Sequence, residues 1–135
     1  MVFNNIMKRC FSSTIRFTKC HEYIKYDIGY YTLGITKFAA DSLGDIVFVT
    51  LPKKGNIVVK EDAILDIDSI KAVSEIYTPI SGKIININIE LEDDPSLINI
   101  SPLDKGWIVQ IESEDNINDL NLMNNKEYED YIKHC

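Results

Sequence analysis

Between Tyr23 and Ile111 the apolar residues come in short runs, each closed off by a turn signal a few positions later. Nothing there sustains the 3.6-residue spacing of an amphipathic helix, except one possible turn from Thr36 to Leu43. Runs of this length fit strands, whose side chains alternate between two faces. The expected strands are Tyr23 to Tyr26, Tyr30 to Ile35, Ile46 to Leu51, Asn56 to Val59, Ala63 to Ile70, Ala72 to Thr78, Gly82 to Ile89 and Trp107 to Ile111. Gly29, Gly44, Pro52 to Gly55, Ser81-Gly82, Asp93 to Pro95 and Asp104 to Gly106 supply the breaks, through glycine tolerating positive φ, proline fixing φ, or Asp bonding its own backbone. The pattern predicts a mainly β sandwich or flattened barrel.

With 135 residues the chain has room for one domain with a genuine core. Apolar residues at 45% and charged residues at 26% exclude wholesale disorder, collagen-like repetition and a disulfide scaffold. No apolar run is long enough to cross a bilayer as a helix. From Asp115 to His134 the period changes, and Ile117, Leu120, Leu122, Met123, Tyr128, Tyr131 and Ile132 can line one side of helical segments. One or two helices are expected there, packed back onto the β unit; docking onto a different protein is the alternative.

Charge narrows the partners. A net charge of −7 repels phosphate backbones and argues against nucleic acid, leaving protein partners or cationic ligands. Residues 1–19 carry Lys8, Arg9, Arg16 and Lys19 and no acid, so the remainder, with 10 bases and 21 acids, carries −11. This basic stretch, with Ser12, Ser13 and Thr14 and with Phe3, Ile6, Met7, Cys10 and Phe11 able to share a helical face, has the makeup of a mitochondrial presequence. Arg9-Cys10-Phe11-Ser12 also matches a matrix-peptidase pattern with a cut after Phe11. The expectation is a presequence over 1–19, a folded domain over 20–135 and a mitochondrial matrix location; a disordered tail is the alternative. Cys10, Cys20 and Cys135 are odd in number and far apart, which fits a reducing compartment and implies no disulfide or metal framework.

Within the β region, Asp66-Ile67-Asp68-Ser69-Ile70-Lys71-Ala72-Val73-Ser74-Glu75 joins two strand-like runs through small and polar residues without a proline. A tight hairpin satisfies that pattern and lifts the Lys71 amine clear of the sheet. Two glycine-led segments, from Lys54 to Asp62 and from Ser81 to Asn88, are faintly similar, and Lys71 falls roughly midway between them. His21 and His134 lie at opposite ends of the domain with no ligand cluster at either, so neither metal binding nor catalysis is expected of them. The carboxylates of Glu90, Glu92, Asp93 and Asp94 lack calcium-loop spacing and are expected to form a solvated face or a contact for basic partner patches.

Several segments together resemble one known family, the H protein of the glycine cleavage system. His21-Glu22-Tyr23 is similar to the family's His-Glu-Trp opening; Gly34-Ile35-Thr36, Leu43-Gly44-Asp45-Ile46-Val47-Phe48-Val49 and Leu51-Pro52 follow in order. Asp68-Ser69-Ile70-Lys71-Ala72 is similar to the Glu-Ser-Val-Lys-Ala lipoylation motif, with two conservative changes. Pro79, Ser81-Gly82, Asn88, Leu91-Glu92-Asp93, Pro95, Leu97-Ile98-Asn99 and Gly106-Trp107 complete a match over about residues 20–132. The sequence departs from the family at Tyr23, where a tryptophan is usual, and at Phe38, where many relatives have histidine.

The resemblance implies a hybrid barrel-sandwich domain of the lipoyl- or biotinyl-carrier type with C-terminal helices, carrying lipoic acid in amide linkage on Lys71. In the family, a pyridoxal phosphate-dependent glycine decarboxylase passes an aminomethyl group to the oxidised dithiolane, which opens and is reduced. A tetrahydrofolate-dependent aminomethyltransferase then takes the carbon and releases ammonia, and flavin-dependent dihydrolipoamide dehydrogenase re-forms the ring; a lipoylating enzyme installs the arm. The implied role is that of a carrier, not an enzyme. By analogy with the family's arm-binding cleft, Glu22 and Glu75 are the candidate carboxylates facing the loaded arm's amine. The Lys71 neighbours Ile70 and Ala72 differ from the methionines that flank a biotinyl lysine, and the His-Glu opening, Gly-Trp strand and helical extension are absent from lipoyl domains of 2-oxoacid dehydrogenases. An H-like protein acting mainly as lipoyl donor or relay for other enzymes, and a domain never lipoylated, remain as alternatives.

Overall fold

A computed structural model describes residues 14–135. The Arg9 to Ser12 cleavage pattern and Cys10 lie outside the described residues. The strands are β1 (Ile15–Phe17), β2 (Glu22–Asp27), β3 (Tyr30–Ile35), β4 (Ile46–Thr50), β5 (Ile57–Val58), β6 (Ala63–Ser69), β7 (Val73–Tyr77), β8 (Gly82–Ile87) and β9 (Val109–Glu112). The helices are α1 (Lys37–Leu43), α2 (Glu90–Asp93), α3 (Leu97–Ile100) and α4 (Asn125–Ile132), with a 3-10 turn at Ile117–Asp119. All the expected strands form, with ends moved by at most two residues.

A larger sheet runs β1-β2-β3-β9-β8-β5 and a smaller one β4-β6-β7, with antiparallel pairing throughout. The sheets enclose a common core without closing into a barrel. Alternation supplies that core: Tyr31, Leu33 and Ile35 from β3, Val109 and Ile111 from β9, and Leu65 and Ile67 from β6 all point inward. Removing each such side chain from water stabilises the fold by about 1.5–3 kcal/mol. Close approach sets the glycine at position 34. Tyr23 lies opposite Gly34 in the β2–β3 register, and a Cβ on Gly34 would sit 2.7 Å from the Tyr23 ring. The ring is fully buried there, and its hydroxyl donates to the Pro102 carbonyl at 2.8 Å.

The region after Asp115 packs back onto the β unit, as its apolar spacing predicts. Ile117 and Leu120 join the main core, while Tyr128, Tyr131, Ile132 and Met123 form a second cluster with Phe17, Ile15 and Tyr23. Helix α4 starts at Asn124, whose side chain accepts the Glu127 N–H while the Glu127 carboxylate accepts the Asn124 N–H, a reciprocal cap.

Three elements differ from expectation. Strand β1 lies within the stretch read as a leader: Phe17 is buried, stacks on Tyr128 with ring centroids 4.5 Å apart, and exchanges backbone hydrogen bonds with Met123. Helices α2 and α3, of four residues each, are too short to show a period and were not anticipated. The acidic run forms α2, whose Leu91 is buried while Glu92, Asp93 and Asp94 face solvent.

Candidate functional site

The β6–β7 register pairs Asp66 with Glu75, Ile67 with Ser74 and Asp68 with Val73, which leaves Ser69 to Ala72 as the connecting turn. The Ser69 N–H donates to the Ala72 carbonyl at 2.8 Å. The Ser69 hydroxyl accepts the N–H groups of Lys71 and Ala72, each at 3.1 Å, and donates to the Ala72 carbonyl. No residue of the turn has positive φ, so this apex is not the glycine-favouring primed turn of most tight hairpins. A serine hydroxyl binding the local backbone takes that place. Ile70 and Lys71 are both exposed at the apex, as the sequence predicts for Lys71.

The apex rests against the loop that follows α1. The Ile70 N–H donates to the Asp45 carbonyl at 3.0 Å. Gly44, at φ +78°, lies beside the aliphatic stem of Lys71: a Cβ there would stand 3.4 Å from Lys71 Cε. Asn99 of α3 holds this loop from behind, donating from Nδ2 to the Gly44 carbonyl at 2.9 Å and accepting at Oδ1 from the Ile46 N–H at 3.0 Å. Sequence reasoning noted Asn99 within the resemblance but assigned it no role.

Glu22 and Glu75 are brought to one place but in opposite states. Both line a hollow of about 280 Å³ between α1 and the far end of β7, together with His21, Ala39, Leu43 and Ser74. Glu75 is exposed and makes no ion pair among the described residues. Glu22 is only 3% exposed. Its carboxylate accepts the Tyr77 N–H at 2.8 Å and the Thr18 hydroxyl at 3.0 Å, which ties the start of β2 to the end of β7 and so joins the two sheets. Burial raises its pKa above the ordinary value, and the two donated hydrogen bonds offset part of the rise. Glu22, Cys20 and Tyr77 also line a larger hollow of about 540 Å³ on the side of Pro79, Leu120 and Leu122.

The histidines, distant in sequence, both border the C-terminal helix. His21 takes a left-handed backbone, φ 69°, and its Nδ1 lies 2.9 Å from the Tyr128 hydroxyl, which in turn lies 2.7 Å from the Thr36 hydroxyl. Burial lowers the His21 pKa, and the half-buried Phe38 ring packs 4.6 Å from its imidazole. The His134 N–H bonds the Tyr131 carbonyl. Among the described residues, no group of three or more His, Cys, Asp or Glu side chains is placed to hold a metal. Cys20 and Cys135 are exposed and free.

Comparison with known proteins places this geometry. The profile of the family described as "Glycine cleavage H-protein" matches residues 15–135. A glycine cleavage system H protein of Listeria monocytogenes is 47% identical over 113 residues, covering 84% of this chain and 90% of the relative. One of Bacillus licheniformis is 41% identical over 119 residues, covering 88% and 94%. Among solved structures, a glycine cleavage system H protein from Mycobacterium marinum superimposes with a TM-score of 0.81 at 30% identity, covering 89% of this chain and 97% of that one.

These relatives are bacterial, which overturns the mitochondrial matrix location expected from residues 1–19. Part of that expectation has a structural explanation. Arg16 and Lys19, half of its basic residues, flank or belong to β1, so they count toward the folded domain and its surface. A profile match from residue 15, relatives matched over nine-tenths of their length, and a shared fold agree that this chain belongs to the glycine cleavage H-protein family.

Proposed function

We propose that the chain is the lipoyl carrier of glycine cleavage, bearing lipoic acid in amide linkage on Lys71 and moving an aminomethyl group between separate enzymes. The observation that carries this reading is Lys71 itself, the exposed apex of a β-hairpin in a chain of the H-protein family. Amide formation removes the lysine charge and leaves a flexible tether. When attached, the dithiolane supplies a disulfide that opens as it takes up the aminomethyl carbon and is later re-formed. The partners on this reading are glycine decarboxylase, the tetrahydrofolate-dependent aminomethyltransferase, dihydrolipoamide dehydrogenase and the enzyme that installs the arm. The chain serves them as a substrate and carries no catalytic group of its own.

Reach supports the same residues. A lysine extended by a lipoyl chain spans about 15 Å from Cα on ordinary bond lengths. Four residues of strand, the separation of Lys71 from Glu75, cover roughly 13 Å. The arm can therefore lie along β7 to the hollow that Glu22 and Glu75 share. Glu75, exposed and unpaired with any cation among the described residues, is the carboxylate able to face an amine directly. Glu22, with both oxygens already engaged, acts through its charge and by fixing the wall of the hollow. Intact-mass measurement of protein from its own cells tests the first step. An increment of one lipoyl group, mapped to Lys71 by fragmentation, is expected; an unmodified chain overturns the proposal.

A further inference from the structure

We infer that Asn99 is the positioning residue for Lys71, holding the hairpin apex through the loop at 44–46. For acylation the inference rests on the carrier reading above; as a statement about the apex it stands alone. The Ser69 hydroxyl bonds are all internal to the hairpin and shape the turn, while the strand pairing of Ser69 with Ile46 joins the base of the apex to the same loop that Asn99 holds. Ile70 is 65% exposed, and its side chain lies beside Gly44, where a Cβ would stand 3.8 Å from Ile70 Cγ1. For Ile70 and Lys71, the Asp45 carbonyl is the hydrogen-bond partner outside the hairpin among the described residues. That carbonyl is aimed by its neighbours. Asn99 bonds the carbonyl of Gly44 and the N–H of Ile46, one residue on either side, so a single side chain restrains the whole loop. Gly44 meanwhile lies beside the Lys71 stem, where a Cβ would stand 3.4 Å from Cε.

The consequence is a pre-aimed amine. Acylation joins Nζ to the carbonyl carbon of an activated lipoyl group. With lipoyl adenylate as donor, the N–C amide bond forms, the C–O bond to the phosphate breaks, AMP leaves with the electron pair, and Nζ releases a proton to solvent. An enzyme that must seat this amine against a fixed acyl carbon gains from a hairpin already held in one direction.

The test compares N99A and N99D with N88A, all first shown to be folded by circular dichroism. Asp at position 99 keeps an acceptor for the Ile46 N–H but loses the donor to Gly44. Asn88 makes a similar clamp elsewhere, from Nδ2 to the Lys105 and Trp107 carbonyls at 2.9 and 2.7 Å, with no link to the hairpin. Each protein is acylated by purified lipoate–protein ligase with lipoate and ATP, and amide exchange is followed at Ile70. In N99A, kcat/KM for acylation is expected to fall about tenfold, mostly through KM, because the apex must be re-ordered on binding. Ile70 exchange is expected to quicken about tenfold. N99D follows in the same direction, and N88A matches the unsubstituted protein in both readouts. Folded N99A with unchanged Ile70 exchange and unchanged KM overturns the inference, as does N88A losing as much as N99A. If the unsubstituted protein takes up no lipoate, the carrier reading fails, and Ile70 exchange alone then decides the role of Asn99: quickened in N99A supports it, unchanged refutes it.

Discussion

At the hairpin apex, the Lys71 side chain makes no hydrogen bond among the described residues, and the Ser69 hydroxyl and neighbouring backbone groups do the holding. At the start of β2 the arrangement is reversed: the Glu22 carboxylate binds a backbone N–H of the other sheet and a hydroxyl of its own turn, and it is buried in doing so. One residue is free to be chemically changed because the fold does not depend on it. The other cannot leave its place without loosening the junction between the sheets. Two residues read from the same resemblance thus differ in what a substitution should do.

The largest effect separates them most cleanly. Lys71→Arg retains charge and exposure, and exposed substitutions of this kind move stability by no more than about 0.5 kcal/mol. A guanidinium cannot form the same amide. Lipoylation and aminomethyl transfer are expected to vanish while the urea midpoint stays put; transfer at the normal rate would falsify the carrier role of this side chain. Glu22→Ala should show the converse. It removes the partner of the Tyr77 N–H in a partly buried setting, which costs about 1 kcal/mol. Urea denaturation is expected to show that loss while the ligase still acylates Lys71. An unchanged midpoint would mean that the bond between the sheets carries no weight.

A comparable effect probes the contact between the C-terminal helix and His21. Tyr128→Phe keeps the ring stacked on Phe17 but removes the hydroxyl lying between His21 and Thr36. The expected loss is about 1 kcal/mol, the net worth of a typical hydrogen bond. Comparing Tyr128→Phe with His21→Ala and the double variant isolates the coupling, and strictly additive losses would show that the two groups do not interact.

How far these contrasts could be read in advance depends on the range of the interaction. The strands were legible because alternation is local, and Lys71 was legible because a hairpin apex is set by its own few residues. Phe17 was not legible as a strand residue because its partners, Tyr128 and Met123, lie more than a hundred residues further along the chain. Glu22 and Glu75 were named together through the resemblance and line one hollow, but nothing nearby in the sequence says that one is buried and the other exposed. That difference comes from Tyr77 meeting Glu22 across the two sheets. Asn99 is the same kind of case, since a polar residue in a single helical turn reveals its function only once the loop at 44–46 is seen beside it.

The smallest expected effect is the one that best isolates the charge of Glu22 from its hydrogen bonds. Glu22→Gln keeps an oxygen for the Tyr77 N–H and removes the ionisable group. Because burial raises the folded-state pKa above the ordinary 4.5, the native state holds its proton more tightly than the unfolded chain does. The contribution of Glu22 to stability is therefore fully present below that ordinary value and is lost as pH rises through the raised one. Near neutral pH the ionised carboxylate bears a desolvation cost that Gln does not, so the Gln variant should equal or slightly exceed the parent there. As pH falls toward about 4, the parent should gain on the variant, with titrations common to both proteins cancelling in the difference. Paired urea denaturations across that interval measure it. A difference flat with pH, or one that moves toward the variant on acidification, would show that the pull of Tyr77 and Thr18 on the carboxylate outweighs its burial, and that the buried member of the pair is as comfortable ionised as the exposed one.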